Sequence, residues 1–133
     1  MIYAMFAVTV LTILIGFCAV RARITSVRNG AVPAGYFKLM QGEAVPEVLI
    51  KTGRCYNNMF EVPCLFYVVC TLYIVSGTES VAGLFFAWFF VILRSAQAYV
   101  HLTSNKVRYR MYLYGGGILC VLLLWINLLI EWA

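Results

Sequence analysis

The sequence predicts an all-α fold, an integral membrane four-helix bundle, and three observations carry that expectation. Hydrophobic residues fill 64% of the 133 positions and charged residues only 11%, against roughly 45–50% and about 25% in ordinary soluble domains. A single domain of this length leaves much of its surface uncovered, so it could not keep that much apolar surface from water. Four stretches reach the ~20 mostly apolar residues that a bilayer-crossing helix requires.

The first span covers residues 2–20. No basic residue precedes it and its basic residues follow it, which reads as a retained span rather than a cleaved leader. A long polar connection, residues 21–53, comes next, with two prolines and four glycines. Within it, "GYFKLMQGEAVPEVL" mixes aromatic and aliphatic residues with charges. That stretch suits either a segment lying on the membrane surface or an ordered loop.

The second span, about 54–75, and the third, about 81–102, reach full length only if polar residues inside them are tolerated. "SGTES" separates the two, and the short basic "TSNKVRYR" leads to the fourth span, about 109–131. Ser104 and Asn105 read as caps for that last helix. The whole chain, 1–133, is one domain.

Lysine and arginine gather on the cytoplasmic side of membrane proteins. Arg21, Arg23, Arg28, Lys38, Lys51, Lys106, Arg108 and Arg110 account for eight of the ten basic residues and fall in the first and third connections. Both chain termini are therefore expected outside the cytoplasm. The net charge of +5 follows from this bias and gives no support to a nucleic-acid role. Five cysteines lie in or beside apolar runs without a C-x-x-C pair, the pattern of small buried hydrophobes rather than of a metal site or disulfide framework.

The informative stretch is "GRCYNNMFEVPCLFYVVC", residues 53–70. Positions i, i+3, i+4 and i+7 share one helical face, and Arg54, Asn57, Asn58 and Glu61 hold them. Charges and amides are expensive in a bilayer and normally face protein or a cavity. The third span has a matching seam, since Arg94, Gln97, His101 and Asn105 lie within about a quarter-turn of one another. Arg94 and Glu61 are the deep cation and anion, so an interhelical ion pair is expected. Such a pair either serves a site or simply joins helices. Pro63 predicts a kink beside Glu61, because it lacks a backbone donor and clashes with the preceding turn. His101 suits an interfacial hydrogen-bonding role better than catalysis, and the 115–117 "GGG" suits close helix packing. One deep acid is too few for an obvious proton relay.

The R-x-x-x-N-x-x-E pattern of Arg54, Asn58 and Glu61, the following Pro63 and the basic third connection resemble the MAPEG family. These are membrane-associated proteins in eicosanoid and glutathione metabolism, including microsomal glutathione transferases and prostaglandin E and leukotriene synthases. The resemblance spans nearly the whole chain, and "NNMFEVPCLFY" is most similar to prokaryotic members. It implies a homotrimer with glutathione as co-substrate between neighbouring subunits, a lipophilic second substrate arriving from the lipid, and a bacterial inner membrane. An endoplasmic reticulum location would obey the same topology.

Carried over residue by residue, the resemblance makes Arg54, Asn58, Glu61, Arg94 and Tyr99 glutathione-binding residues. It makes a cation ending helix one (Arg21 or Arg23) or starting helix four (Lys106 or Arg108) the group that activates the thiol. The implied function is a glutathione-dependent transferase or peroxidase acting on lipophilic electrophiles. The family also contains a non-enzymatic lipid-binding member, so a trimeric protein that binds a lipid or protein partner without chemistry is the alternative.

Overall fold

Six helices in chain order build four membrane-length rods in the computed structural model, which describes residues 1–39 and 45–132. α1 (Ile2–Arg28) is the first rod; α2 (Tyr36–Leu39) is one turn in the connection; α3 (Glu47–Asn57) and α4 (Val62–Val75) share the second rod; α5 (Val81–Leu102) and α6 (Val107–Trp132) are the third and fourth. All four rods are long and apolar enough to cross a membrane. The first two are longer than hydropathy alone indicates: α1 continues to Arg28, and the second rod starts at Glu47. These extensions are polar helical turns beyond the apolar runs, and they shorten the connection.

α5 and α6 make the most extensive helix pair, α1 packs along α3 and α5, and α4 lies against α6. The shared core holds Ala4, Val8, Phe66, Phe90, Cys120 and Leu124. Phe66 and Phe90 stack at 4.3 Å between centroids, locking α4 to α5. Much of the remaining apolar surface points outward, including Phe6, Phe17, Phe85 and Leu129, as expected when the solvent is hydrocarbon. All five cysteines are free thiols.

A polar node fastens the end opposite the basic connections. The buried Tyr73 hydroxyl shares its one proton between Asn127 Oδ1 at 2.7 Å and the Leu124 carbonyl at 3.1 Å. Ser80 Oγ donates to the same Asn127 oxygen at 2.7 Å and caps α5 by accepting from the Gly83 amide. Gly83 lets the two approach closely, since a β-carbon would stand 3.0 Å from the Tyr73 phenol.

The first connection folds back on α1. The amides of Ala31 and Val32 return to the Ser26 carbonyl, α2 follows, and Arg23 lies over the Phe37 ring at 5.8 Å. Residues 40–44 of "GYFKLMQGEAVPEVL" lie outside the described residues.

The second rod breaks where the polar stripe ends. Asn58–Phe60 tighten into a 3-10 turn, and Glu61 leaves the helical region at φ −90°, ψ −96°. Pro63 then sits in the first turn of α4, the one place in a helix where its missing amide costs little. The bend expected at Pro63 is thus a change of helix centred on Glu61.

Candidate functional site

Breaking a helix inside a membrane strands carbonyl groups that lipid cannot satisfy. Arg94 answers that need. Its Nη2 donates to the Asn58 carbonyl and approaches Met59 Sδ at 3.7 Å, while Nη1 donates to Gln97 Oε1 at 2.6 Å. A cation at the C-terminal carbonyls of a helix is also favoured by the helix dipole. Arg94 is only 1% exposed, so these bonds are what make a buried guanidinium tolerable.

The expected direct Glu61–Arg94 ion pair is corrected by this arrangement. Arg94 spends its two Nη groups on Asn58 and Gln97, and Glu61 turns toward α6. Tyr114 donates its hydroxyl to Glu61 Oε2 at 3.1 Å, and the Arg94 guanidinium lies 5.8 Å from the centre of the same ring. A tyrosine therefore mediates between the two charges.

The two seams differ in burial. Arg94, Gln97 and His101 are all buried on α5. With Cys55, Asn58 and Met59 they pack so tightly that no water-sized space remains among them. On α3 the inward face is instead Leu49, Thr52 and Cys55, continuing to Met59. Arg54, Asn57 and Glu61 are exposed and Asn58 is half-buried, so the polar stripe lies open along the outside of the single chain.

The remaining sequence candidates separate. Tyr99 is 70% exposed and stands away from the buried face of α5. Arg23 is exposed at the end of α1, near Arg54: both line a cavity of about 210 Å³ with Tyr36 and Phe37. Lys106 and Arg108 are exposed at the start of α6, and Lys106 lies over its neighbour Tyr109 at 5.9 Å. Asn105 does not begin α6 as a simple cap. It adopts the left-handed conformation at φ 49°, returns its amide to the Val100 carbonyl at 2.8 Å and so closes α5.

Two residues join the site that sequence reasoning missed. Tyr114 was one more aromatic in an apolar run, and only its contacts distinguish it. Arg110 lies one turn before it on the same helical face. Arg110 is half-buried, donates from Nη1 to Asn105 Oδ1 at 2.9 Å, and keeps a buried Nε without a hydrogen-bond partner. Arg94 Nε and His101 Nε2 are likewise unpartnered among the described residues. The i, i+4 spacing of Arg110 and Tyr114 was the available signal.

A family model described as the MAPEG family matches residues 1–130. The chain belongs to the MAPEG family. The match covers nearly the whole chain, and a MAPEG protein is an integral, multi-pass membrane bundle of glutathione and eicosanoid metabolism. No curated protein and no solved structure matches the chain. Within this MAPEG chain, the polar groups of this site fall at one end of the bundle, beside the basic connections. Cations, amides and the Glu61 carboxylate stand together there.

Proposed function

We propose that this MAPEG protein is a glutathione-dependent membrane transferase or peroxidase acting on lipophilic electrophiles, working as a homotrimer in a bacterial inner membrane. The observation that carries the reading is the open polar stripe of Arg54, Asn58 and Glu61 on a membrane-spanning rod. Lipid cannot satisfy it, so a ligand and a neighbouring subunit are its natural covers.

The residues fit glutathione, which bears two carboxylates and one ammonium. Arg54 takes a carboxylate through paired donors, a geometry lysine cannot offer. Glu61, oriented by Tyr114, takes the ammonium, and the Asn58 side chain hydrogen-bonds the peptide portion. When bound, glutathione supplies the sulfur nucleophile that adds to an electrophilic carbon or reduces a hydroperoxide. A free thiol titrates near 8.5 and reacts as the thiolate, so the site must stabilise an anion at neutral pH. Arg110 suits that task better than the more exposed Arg23, Lys106 and Arg108, because it is partly buried and retains a free donor. Tyr99, exposed on α5, lines the site from a neighbouring subunit.

The test is a glutathione titration of detergent-purified protein, following the ultraviolet band of the thiolate, with wild type and Arg54→Ala side by side. A saturable signal in wild type that vanishes in the variant supports the reading. Folded wild type without any signal would reject it, and binding of a lipid or partner without chemistry would take its place.

A further inference from the structure

Two connected cavities lie at the end of the bundle away from the basic connections. The first, about 440 Å³, is lined by Met1, Thr78, Glu79, Ser80, Val81 and Leu84, where the second connection enters α5. The second, about 390 Å³, is an apolar trough along the outside of α5, walled by Leu84, Phe85, Trp88, Phe89 and Ile92. Val81 and Leu84 line both, so the polar mouth opens directly into the trough. Positions 81, 84, 85, 88, 89 and 92 share one helical face, and all six side chains are exposed. Phe85 and Phe89 stack at 6.0 Å between centroids and stiffen one wall. From Val81 to Ile92 the trough runs for about 16 Å, roughly one leaflet's share of a ~30 Å hydrocarbon core.

We infer that mouth and trough hold one ethanolamine phospholipid of the leaflet opposite the basic connections. An acyl chain lies over Leu84, Phe85 and Trp88, and the headgroup ammonium is held by the Glu79 carboxylate beside the Thr78 hydroxyl. Depth and charge select this occupant. The trough begins at a helix end and stops near mid-bilayer, as one acyl chain does, whereas a partner helix would need the full span. Glu79 is the only charged residue between Glu61 and Arg94, and none of the ten lysines and arginines falls in residues 1–20, 62–93 or 111–133. The mouth thus presents an exposed carboxylate with no cationic side chain from its own end of the bundle. Ser80 is already committed, since its hydroxyl donates to Asn127 and accepts from the Gly83 amide. Ser76 and Thr78 share one hydrogen bond at 2.7 Å, which leaves hydroxyl lone pairs for a further donor. A primary ammonium brings three N–H donors to that carboxylate and hydroxyl, in charge-assisted bonds. A choline headgroup has no such donor. A glycerol headgroup leaves its phosphate uncompensated beside Glu79, a like-charge contact. The length of α4 separates this mouth from Glu61, about 20 Å. The lipid site shares no residue with the glutathione site and does not depend on glutathione binding.

The test is native mass spectrometry of intact, delipidated protein in mild detergent, incubated with phosphatidylethanolamine, phosphatidylcholine or phosphatidylglycerol of the same acyl chains. Wild type should retain phosphatidylethanolamine about fivefold better than either of the others, the upper end of what one solvated charge pair provides. Glu79→Gln should erase most of that preference. Leu84→Trp, which fills the trough at an exposed position lining both spaces, should lower retention of all three lipids. Far-ultraviolet circular dichroism of each variant checks the fold. Equal retention of the ethanolamine and choline lipids by wild type, an unchanged preference in Glu79→Gln, or unchanged retention in Leu84→Trp overturns the proposal. A wild type that prefers phosphatidylglycerol overturns it too, and one that retains no lipid overturns it and leaves the α5 face to another copy of the chain. Thiolate titration on the same samples reads the glutathione site independently, so either proposal can fail alone.

Discussion

Tyr114 donates its hydroxyl to Glu61 Oε2 at 3.1 Å while its ring lies 5.8 Å from the guanidinium of Arg94. One aromatic side chain thus links the exposed Glu61 to the buried Arg94, through its edge hydroxyl and through its π system. Tyr114→Phe keeps the ring and removes the hydroxyl. The expected loss of stability is small, about 1 kcal/mol or less, because Glu61 is exposed enough to regain a water. Glutathione affinity should nevertheless fall several-fold, since Glu61 is no longer held in one orientation. Tyr114→Leu also removes the cation–π contact and should cost roughly 0.5–2 kcal/mol more. Thermal unfolding in detergent and glutathione titration, run on both variants, read the two effects apart.

Arg94 is the more structural residue. Arg94→Leu leaves the Asn58 carbonyl and the Gln97 side chain without their donor inside the bundle. At ~1–3 kcal/mol for each stranded group, the loss should be on the order of 3 kcal/mol. Arg94→Lys should recover only part of it, because an ammonium cannot reproduce the planar fork that serves both acceptors. Full recovery by lysine in a thermal unfolding series would show that charge alone matters at this position.

The four rods were legible because hydropathy reports what a bilayer selects for, and the α5 seam of Arg94, Gln97 and His101 was legible from the 3.6-residue repeat. The second rod was read less well. Its polar stripe is correctly a stripe, but periodicity cannot say which face a helix turns inward, and here Cys55 and Met59 are the inward pair. The Glu61–Arg94 pairing failed because it counted charges and ignored backbone. The break before Pro63 freed a carbonyl, and that carbonyl was a closer partner for the guanidinium than the carboxylate. Tyr114 carried only its i, i+4 spacing from Arg110, a weak signal in an apolar run rich in aromatics.

Pro63→Ala tests whether the helix break serves the site. The substitution restores an amide donor and lets the second rod continue as α-helix through Glu61. Stability should change little, because the gain of about 1 kcal/mol from a good helix former is offset by the loss of the Asn58 carbonyl as an acceptor for the buried Arg94. Glutathione binding should weaken, since Glu61 would rotate away from Tyr114 and the Asn58 carbonyl would return to its own helix. A variant that is as stable and binds as well as wild type would make the break a packing feature only.

The pH profile of bound thiol separates Arg110 from the other cations. If Arg110 stabilises the thiolate, the bound thiol titrates below the free value near 8.5, so the thiolate signal persists as pH falls below that value. In Arg110→Gln the midpoint should move upward, toward the free value, and the signal at neutral pH should shrink. The same substitution at the exposed Lys106 or Arg108 should move the midpoint much less. A midpoint unchanged in Arg110→Gln would return the role to those residues or to Arg23.

Asn127→Leu is the complementary control, at the other end of the bundle. Asn127 Oδ1 accepts from both Tyr73 and Ser80 at 2.7 Å, so its removal leaves two hydroxyls short of an acceptor. Tyr73 keeps the Leu124 carbonyl at 3.1 Å as a second acceptor, which limits the damage. Interhelical hydrogen bonds of this kind are worth about 0.6–2 kcal/mol each in a membrane, so a loss of roughly 1–3 kcal/mol is expected in thermal unfolding. The node lies far along α4 and α6 from Glu61 and Tyr114 and shares no partner with them, and distant, unconnected sites behave additively. Glutathione affinity, measured well below the lowered melting temperature, should therefore match wild type. A coupled loss of binding would mean that the two ends of the bundle open together, and the effects of Tyr114 and Arg94 substitutions would then have to be reread as global loosening.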